Sequence, residues 1–354
     1  MRSHGVRPPP PLPSPPPLAP QIPPVSLALG IAIIITGCAS SSIGLALMKQ
    51  SSEVERDLPC HSRWRWMLGF IFLVVNATVL DLIAYGLIPL AIIAPFAGLT
   101  MVFSLILAVS GLLHERESLS ITQGFAALLV IIGVVVASHF GPHSSANVDS
   151  MDEILRDFHD AHFLAFAAVT LGQVALYLAV LHVPALSWMR PPENSPLTTA
   201  FSAYTASVCG ALSQLFLKVV SLALQTLGTK GPVVLQQPTV YIAITGLASC
   251  APLQLYLLNT TLASSPVSFA VPLYMSLLVM LTTAAGGIFF KEFAATTFGS
   301  NVAYGCGGLL AISGLAILGH AAAQTTRSKG EVQRLLSARR ASSMIGELES
   351  IGPS

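Results

Sequence analysis

Charge is what this sequence has least of. Asp, Glu, Lys and Arg make up 9% of its 354 residues, against about a quarter in a soluble domain. Too few charged groups exist to cover a water-soluble globule of this size. The formal net charge is +1, so there is no basic field to neutralise phosphates, and nucleic acid is excluded as a partner. Cysteine is scarce as well: Cys38, Cys209, Cys250 and Cys306 lie in apolar runs and Cys60 in a polar loop. Their spacing fits neither a zinc site nor a disulfide framework, and small space-fillers in helices account for them. No phosphate loop, His/Cys metal cluster or Ser-His-Asp ordering occurs, so the sequence predicts neither an enzyme nor a cofactor.

What the chain has in abundance is apolar surface, with 53% hydrophobic residues. Runs of about 20 apolar residues recur, the length that crosses a bilayer as a helix. We expect an all-α polytopic membrane protein with nine spans, at roughly 26–48, 66–88, 90–113, 120–140, 162–183, 199–224, 239–259, 266–290 and 298–320. Small residues such as Gly37, Ser41 and Gly44, or Gly305, Gly307, Gly308 and Gly314, mark helices that pack on one another. Residues 1–25 are proline-dense and are expected to be a disordered, extended tail, a spacer or an SH3-type ligand rather than a signal peptide. Residues 321–354 form a polar, basic and disordered tail in which Arg339-Arg340-Ala341-Ser342 matches a basophilic kinase pattern.

An odd number of spans puts the termini on opposite sides. Lys49, Arg56, Arg63, Arg65, Arg116, Arg190, Arg327, Lys329, Arg334, Arg339 and Arg340 collect on the C-terminal side, against Arg2, Arg7, Arg156, Lys230 and Lys291 on the other. The C-terminus is therefore expected in the cytosol. Trp64, Trp66 and Trp188 fall at expected interfaces. In the loop Val148–Asp160, residues Met151, Ile154, Leu155 and Phe158 share a helical face with acids opposite, which predicts a short interfacial helix on the non-cytosolic side.

The two halves repeat. Pro95 precedes Glu115 by twenty residues and Pro272 precedes Glu292 by twenty; Gly133 precedes His139 by six and Gly314 precedes His320 by six. Lys49 and Lys218 sit near the ends of corresponding spans. The plan is four-one-four, with repeats 26–140 and 199–320 joined by a connector span at 162–183. An offset of five spans inverts the second copy, a recurring transporter design with the substrate site between the repeats.

Ionisable groups inside spans are costly and are normally kept for a reason. Asp81 is such a group, and three- and four-residue spacing puts Thr78 and Tyr85 on its helical face. A carboxylate with hydroxyl neighbours can hold a partly hydrated cation through oxygen, so Asp81 is the candidate metal ligand. A proton relay, or a carboxylate paired with a helix end or with water, are the other readings. Tyr256 and Asn259 share a face that either lines the pathway or bonds another helix. Gln173 and Gln214 are expected in interhelical hydrogen bonds. Pro95 and Pro272 either break their helices or occupy first turns. Glu115 and Glu292 are gates or helix-end salt bridges, with Arg116 and Lys291 as neighbouring cations. Lys49 and Lys218 are expected to snorkel to the interfaces, and His139 and His320 to be polar side chains at span ends.

The chain from about Val25 to His320 resembles the NIPA-type magnesium transporters of the drug/metabolite transporter superfamily. The likeness is carried by Trp64-Arg65-Trp66, Ala84-Tyr85, Pro89 and Pro95-Phe96-Ala97-Gly98 in the first half. In the second half Gln254, Tyr256-Leu257-Leu258-Asn259, Val271-Pro272 and Phe290-Lys291-Glu292 carry it. One position departs: where the family has a glutamate followed three residues later by an asparagine, this chain has Thr78 and Asp81. The carboxylate has moved about one helical turn. The resemblance implies a multi-pass transporter of a divalent cation, Mg²⁺ first, in the plasma or endosomal membrane. It adds Gln254 to the pathway residues. A drug/metabolite-type carrier of an organic solute, such as a nucleotide sugar, is the alternative, and a non-transporting membrane scaffold is the reading from another class.

Overall fold

The computed structural model describes residues 22–55, 62–110, 120–143, 151–189, 196–264, 267–294, 296–321 and 324. Among them there is no strand. The helices are α1 (Pro24–Val54), α2 (Trp64–Val75), α3 (Asp81–Leu87), α4 (Leu90–Ile93), α5 (Ala97–Ser110), α6 (Ile121–Phe140), α7 (Met151–Phe158), α8 (Ala161–His182), α9 (Pro196–Lys230), α10 (Pro238–Ser264), α11 (Val267–Phe289) and α12 (Phe298–Ala321). Among the described residues, seven helices are long and apolar enough to cross a membrane, which makes the chain a multi-pass integral membrane protein. Two expected spans, 66–88 and 266–290, overlap the shorter apolar helices Trp64–Leu73 and Leu273–Phe289. In the first, Asn76 and Asp81 interrupt the apolar run.

Local chemistry sets the helix ends. Proline in the first turn of α1 costs no hydrogen bond, because that amide would have no helical acceptor. The Gln123 side-chain oxygen Oε1 accepts from the Ser120 N–H at 3.0 Å before α6, and Asp160 Oδ1 accepts from the His162 N–H at 2.8 Å before α8. Trp64 and Trp188 are exposed near helix ends, as interfacial aromatics are.

The long, mostly buried α9 is the centre of the second half, packed against α8, α10 and α11, while α1 packs against α2, α3 and α5. The halves meet where α3 lies on α9 and α4 on α11. The α6–α12 contact depends on glycine: a Cβ on Gly133 would stand 2.6 Å from the Gly307 carbonyl oxygen, and one on Gly307 2.9 Å from the Gly133 carbonyl oxygen. Only bare backbones approach so closely. The amphipathic segment forms α7, and its apolar face packs on the protein. Met151 and Ile154 are buried, and Phe158 and Phe163 each meet Phe289 edge-on at 4.7 Å. Burying these rings takes apolar area out of solvent, which holds the helix on the protein.

Candidate functional site

The second apolar run does not remain one α-helix. After α2, residues Asn76–Leu80 form a single π turn, and the Asp81 N–H bonds the Asn76 carbonyl five residues back. In a straight α-helix these two residues would point about 140° apart. The wider π turn brings them onto one wall, and such turns recur at functional sites. Asn76, Asp81 and Tyr85 all line one cavity of about 150 Å³. Cys38 and Ser41 from α1, Thr100 from α5 and Gln214 from α9 complete its polar surface. No cationic side chain is among its described lining residues.

Hydrogen bonds fix most of this wall. Asn76 Nδ2 donates to Ser41 Oγ at 2.7 Å, whereas Asn76 Oδ1 is buried without a partner. Cys38 Sγ donates to the Phe96 carbonyl at 3.3 Å, Ser42 Oγ to the Thr100 carbonyl at 2.7 Å and Thr282 Oγ1 to Gln214 Oε1 at 2.9 Å. Gln173 Nε2 likewise donates to Thr205 Oγ1 at 2.9 Å, so both expected interhelical glutamine bonds form. Among the described residues, no three His, Cys, Asp or Glu side chains gather to hold a metal. The arrangement suits a hard, partly hydrated cation better than a stripped ion in an all-protein cage.

A second polar centre closes the same end of the α3–α4 corner. Pro89 interrupts the chain, leaving the first amides of α4 free. Glu292, from the turn after α11, fills that end: Oε1 accepts from the Leu90 N–H at 2.7 Å and from Lys218 Nζ at 2.6 Å, and Oε2 accepts from the Ala91 N–H at 2.8 Å. Both side chains are buried, and Lys218 Nζ also lies 4.5 Å from the centre of the Phe290 ring. The Tyr304 hydroxyl donates to the Ala91 carbonyl at 2.6 Å, tying α12 to the same turn. Tyr85 lines both the Asp81 cavity and a smaller one, about 40 Å³, bordered by Pro89 and Lys218.

Two sequence expectations are corrected here. Lys218 does not snorkel; α9 continues to Lys230, so Lys218 is in mid-helix and finds a carboxylate instead. Lys291 is not the partner of Glu292: with φ 51 it turns outward and pairs with Asp157 at 3.0 Å and Asp160 at 3.4 Å.

The remaining candidates scatter. Gln254 Nε2 donates to the Tyr274 hydroxyl at 2.5 Å between α10 and α11. Tyr256 is half exposed on α10 and does not line the Asp81 cavity. Pro95 is buried in the 3-10 turn Ala94–Phe96 that separates α4 from α5, while α11 runs unbroken through Pro272. Glu115 lies outside the described residues, as do the side chains of Thr78, Asn259, Pro272 and Lys49. Sequence reasoning passed over Asn76, Cys38, Ser41 and Thr100 as site residues. The usable signal for Asn76 was a second polar residue in the run that holds Asp81.

Comparison with known proteins agrees with the resemblance. The profile of the family described as magnesium transporter NIPA matches residues 25–324. Relatives in Arabidopsis thaliana include probable magnesium transporter NIPA1, 24% identical over 253 residues (72% of this chain and 71% of that protein). Probable magnesium transporter NIPA6 is 24% identical over 256 residues, 72% of this chain and 73% of the relative. No solved structure matches. The chain, from the start of α1 to just beyond α12, belongs to the magnesium transporter NIPA family.

Proposed function

We propose that this protein is a transporter, not an enzyme, which carries Mg²⁺ across a membrane, with Asp81 as the charged ligand of the ion on its way. The observation that carries the reading is the Asp81 carboxylate on a partly open cavity whose other described polar groups are neutral, in a chain of this family. One carboxylate with hydroxyl and amide oxygens matches the demand of Mg²⁺, which dehydrates reluctantly and binds through few carboxylates. An organic solute is less well served, because cavities for drug-sized ligands run to about 300–1,000 Å³, against about 150 Å³ here.

The transporter unit runs over residues 26–320, with nine spans in an inverted four-one-four plan and the C-terminus in the cytosol of a plasma-membrane or endosomal protein. The meeting of α3 with α9 and of α4 with α11, beside a cavity that α9 reaches through Gln214, supports the plan, because repeat interfaces are where such proteins bind substrate. Glu292 serves as the gate on the non-cytosolic side, clasping α4 of the other half, and Glu115 has the matching role opposite. Pro95 opens the helix beside the cavity; Thr78, Tyr85, Gln254, Tyr256, Asn259 and Pro272 flank the route.

Mg²⁺ uptake into proteoliposomes tests this, with wild type and Asp81→Asn compared at equal incorporation. Saturable uptake is expected in the wild type and a loss of at least about tenfold in the variant. Equal uptake in both removes Asp81 from the pathway. No uptake in either, beside a working control, refutes Mg²⁺ transport and moves the assignment to an organic solute.

A further inference from the structure

We propose that Asn76 is the second protein ligand of the cation, meeting it with its side-chain carbonyl oxygen beside the Asp81 carboxylate, and that Gly37 keeps the space in which the two oxygens converge. This rests on the reading of Asp81 as the ion's charged ligand.

Three observations carry it. Asn76 is more than nine-tenths buried, and its Oδ1 has no hydrogen-bond partner. A buried acceptor in that condition is costly unless something meets it. The amide is set by its other end, because Nδ2 donates to Ser41 Oγ at 2.7 Å and leaves Oδ1 free. Asn76 lines the same cavity as Asp81, which gives a cation room beside both residues.

The second observation is the π turn. By closing Asn76 to Asp81 five residues apart, it brings an amide and a carboxylate to one wall. A carboxylate usually gives Mg²⁺ one oxygen; the pair offers one charged and one neutral oxygen, with waters for the rest of an octahedron.

The third is the bare face of α1 opposite. A Cβ on Gly37 would collide with Asn76 Oδ1 and lie 3.7 Å from Asp81 Oδ1. Both oxygens thus approach one point on α1, and only glycine leaves that point open. Gly37 is a positioning residue: it touches no ion, and any side chain there displaces the amide that does.

The test is Mg²⁺ titration of the purified full chain, followed by calorimetry and by the rise in melting temperature that binding to the folded state produces. Asn76→Ala is expected to weaken Mg²⁺ binding about 10- to 100-fold, and Gly37→Ala to weaken it with Asp81 and Asn76 both present. Asn76→Asp, which retains the oxygens, is expected to bind at least as tightly as wild type. Should Asn76→Ala fail to fold, Asn76→Asp decides: weaker binding by tenfold or more makes the amide a donor to Asp81 and overturns the proposal. Wild-type affinity in Asn76→Ala, with Asp81→Asn unable to bind, overturns Asn76 while leaving Asp81 in place. Absence of Mg²⁺ binding by folded wild type overturns the site as a whole, and with it the function on which the proposal rests.

Discussion

Removing either partner of the Lys218–Glu292 pair strands the other charge among buried side chains, at a cost of about 3–5 kcal/mol. Glu292→Gln and Lys218→Met are each expected to lower the melting temperature of the detergent-solubilised protein sharply. The double variant is expected to recover much of that loss, because it leaves no orphan charge. A double variant as unstable as the worse single one would contradict the pairing. Lys218 shows why this pair was hidden in the sequence. Its position near the end of an apolar run reads as an interfacial lysine, and only the continuation of α9 to Lys230 puts it deep in the helix. Asp81 and Tyr85 were legible, because a carboxylate inside an apolar run announces itself and i, i+4 spacing survives within α3. Asn76 was not, because assigning faces at 3.6 residues per turn sends it elsewhere.

At the scale of elements, apolar runs were enough to find the long helices, and the π turn and the docking of α7 were not. Both depend on what neighbouring elements offer: a partner on α1 for Asn76, and an aromatic cluster for Phe158. The corner between α7 and α8 carries a prediction in pH. Asp160 accepts from the backbone N–H of His162, and this bond, helped by Lys291, holds its carboxyl below the usual range. The hydrogen bond to Asp157 is the chief reason that Lys291 is raised. A lowered acid contributes stability above its unfolded value, about 3.9, and loses it as pH falls through the folded value. A raised amine contributes below about 10.4 and loses it as pH rises through the folded value. The link from this corner to Lys291 is therefore expected to be intact around neutrality and to weaken at both extremes. Hydrogen-exchange protection of α7, corrected for intrinsic rates, should fall at pH 3 relative to pH 7. Unchanged protection at pH 3 would mean that the ion pairs do not hold the corner.

At the scale of the whole molecule, three sequence matches in register suggest a repeat, whereas the contacts of α3 and α4 with α9 and α11 have no signature in the sequence. The clasp of Glu292 on α4 crosses 201 and 202 residues of sequence, far beyond any local pattern. The inverted nine-span plan predicts that Asp152, in α7, and Trp188, after α8, face opposite sides. In a cysteine-free background, an impermeant thiol reagent added to intact cells should label Asp152→Cys and spare Trp188→Cys until the cells are opened. Labelling of both from one side would refute an odd span between them. The clasp has an electrical consequence too. Each elementary charge moved across the bilayer couples to the membrane potential by about 2.3 kcal/mol per 100 mV. If the clasp opens as proposed, Lys218 and Glu292 move as a neutral couple, so releasing α4 displaces no net charge through the field. Any current that accompanies turnover would then report the cargo and the proposed carboxylate ligand, and the voltage across the membrane would drive the ion without prying open the proposed gate.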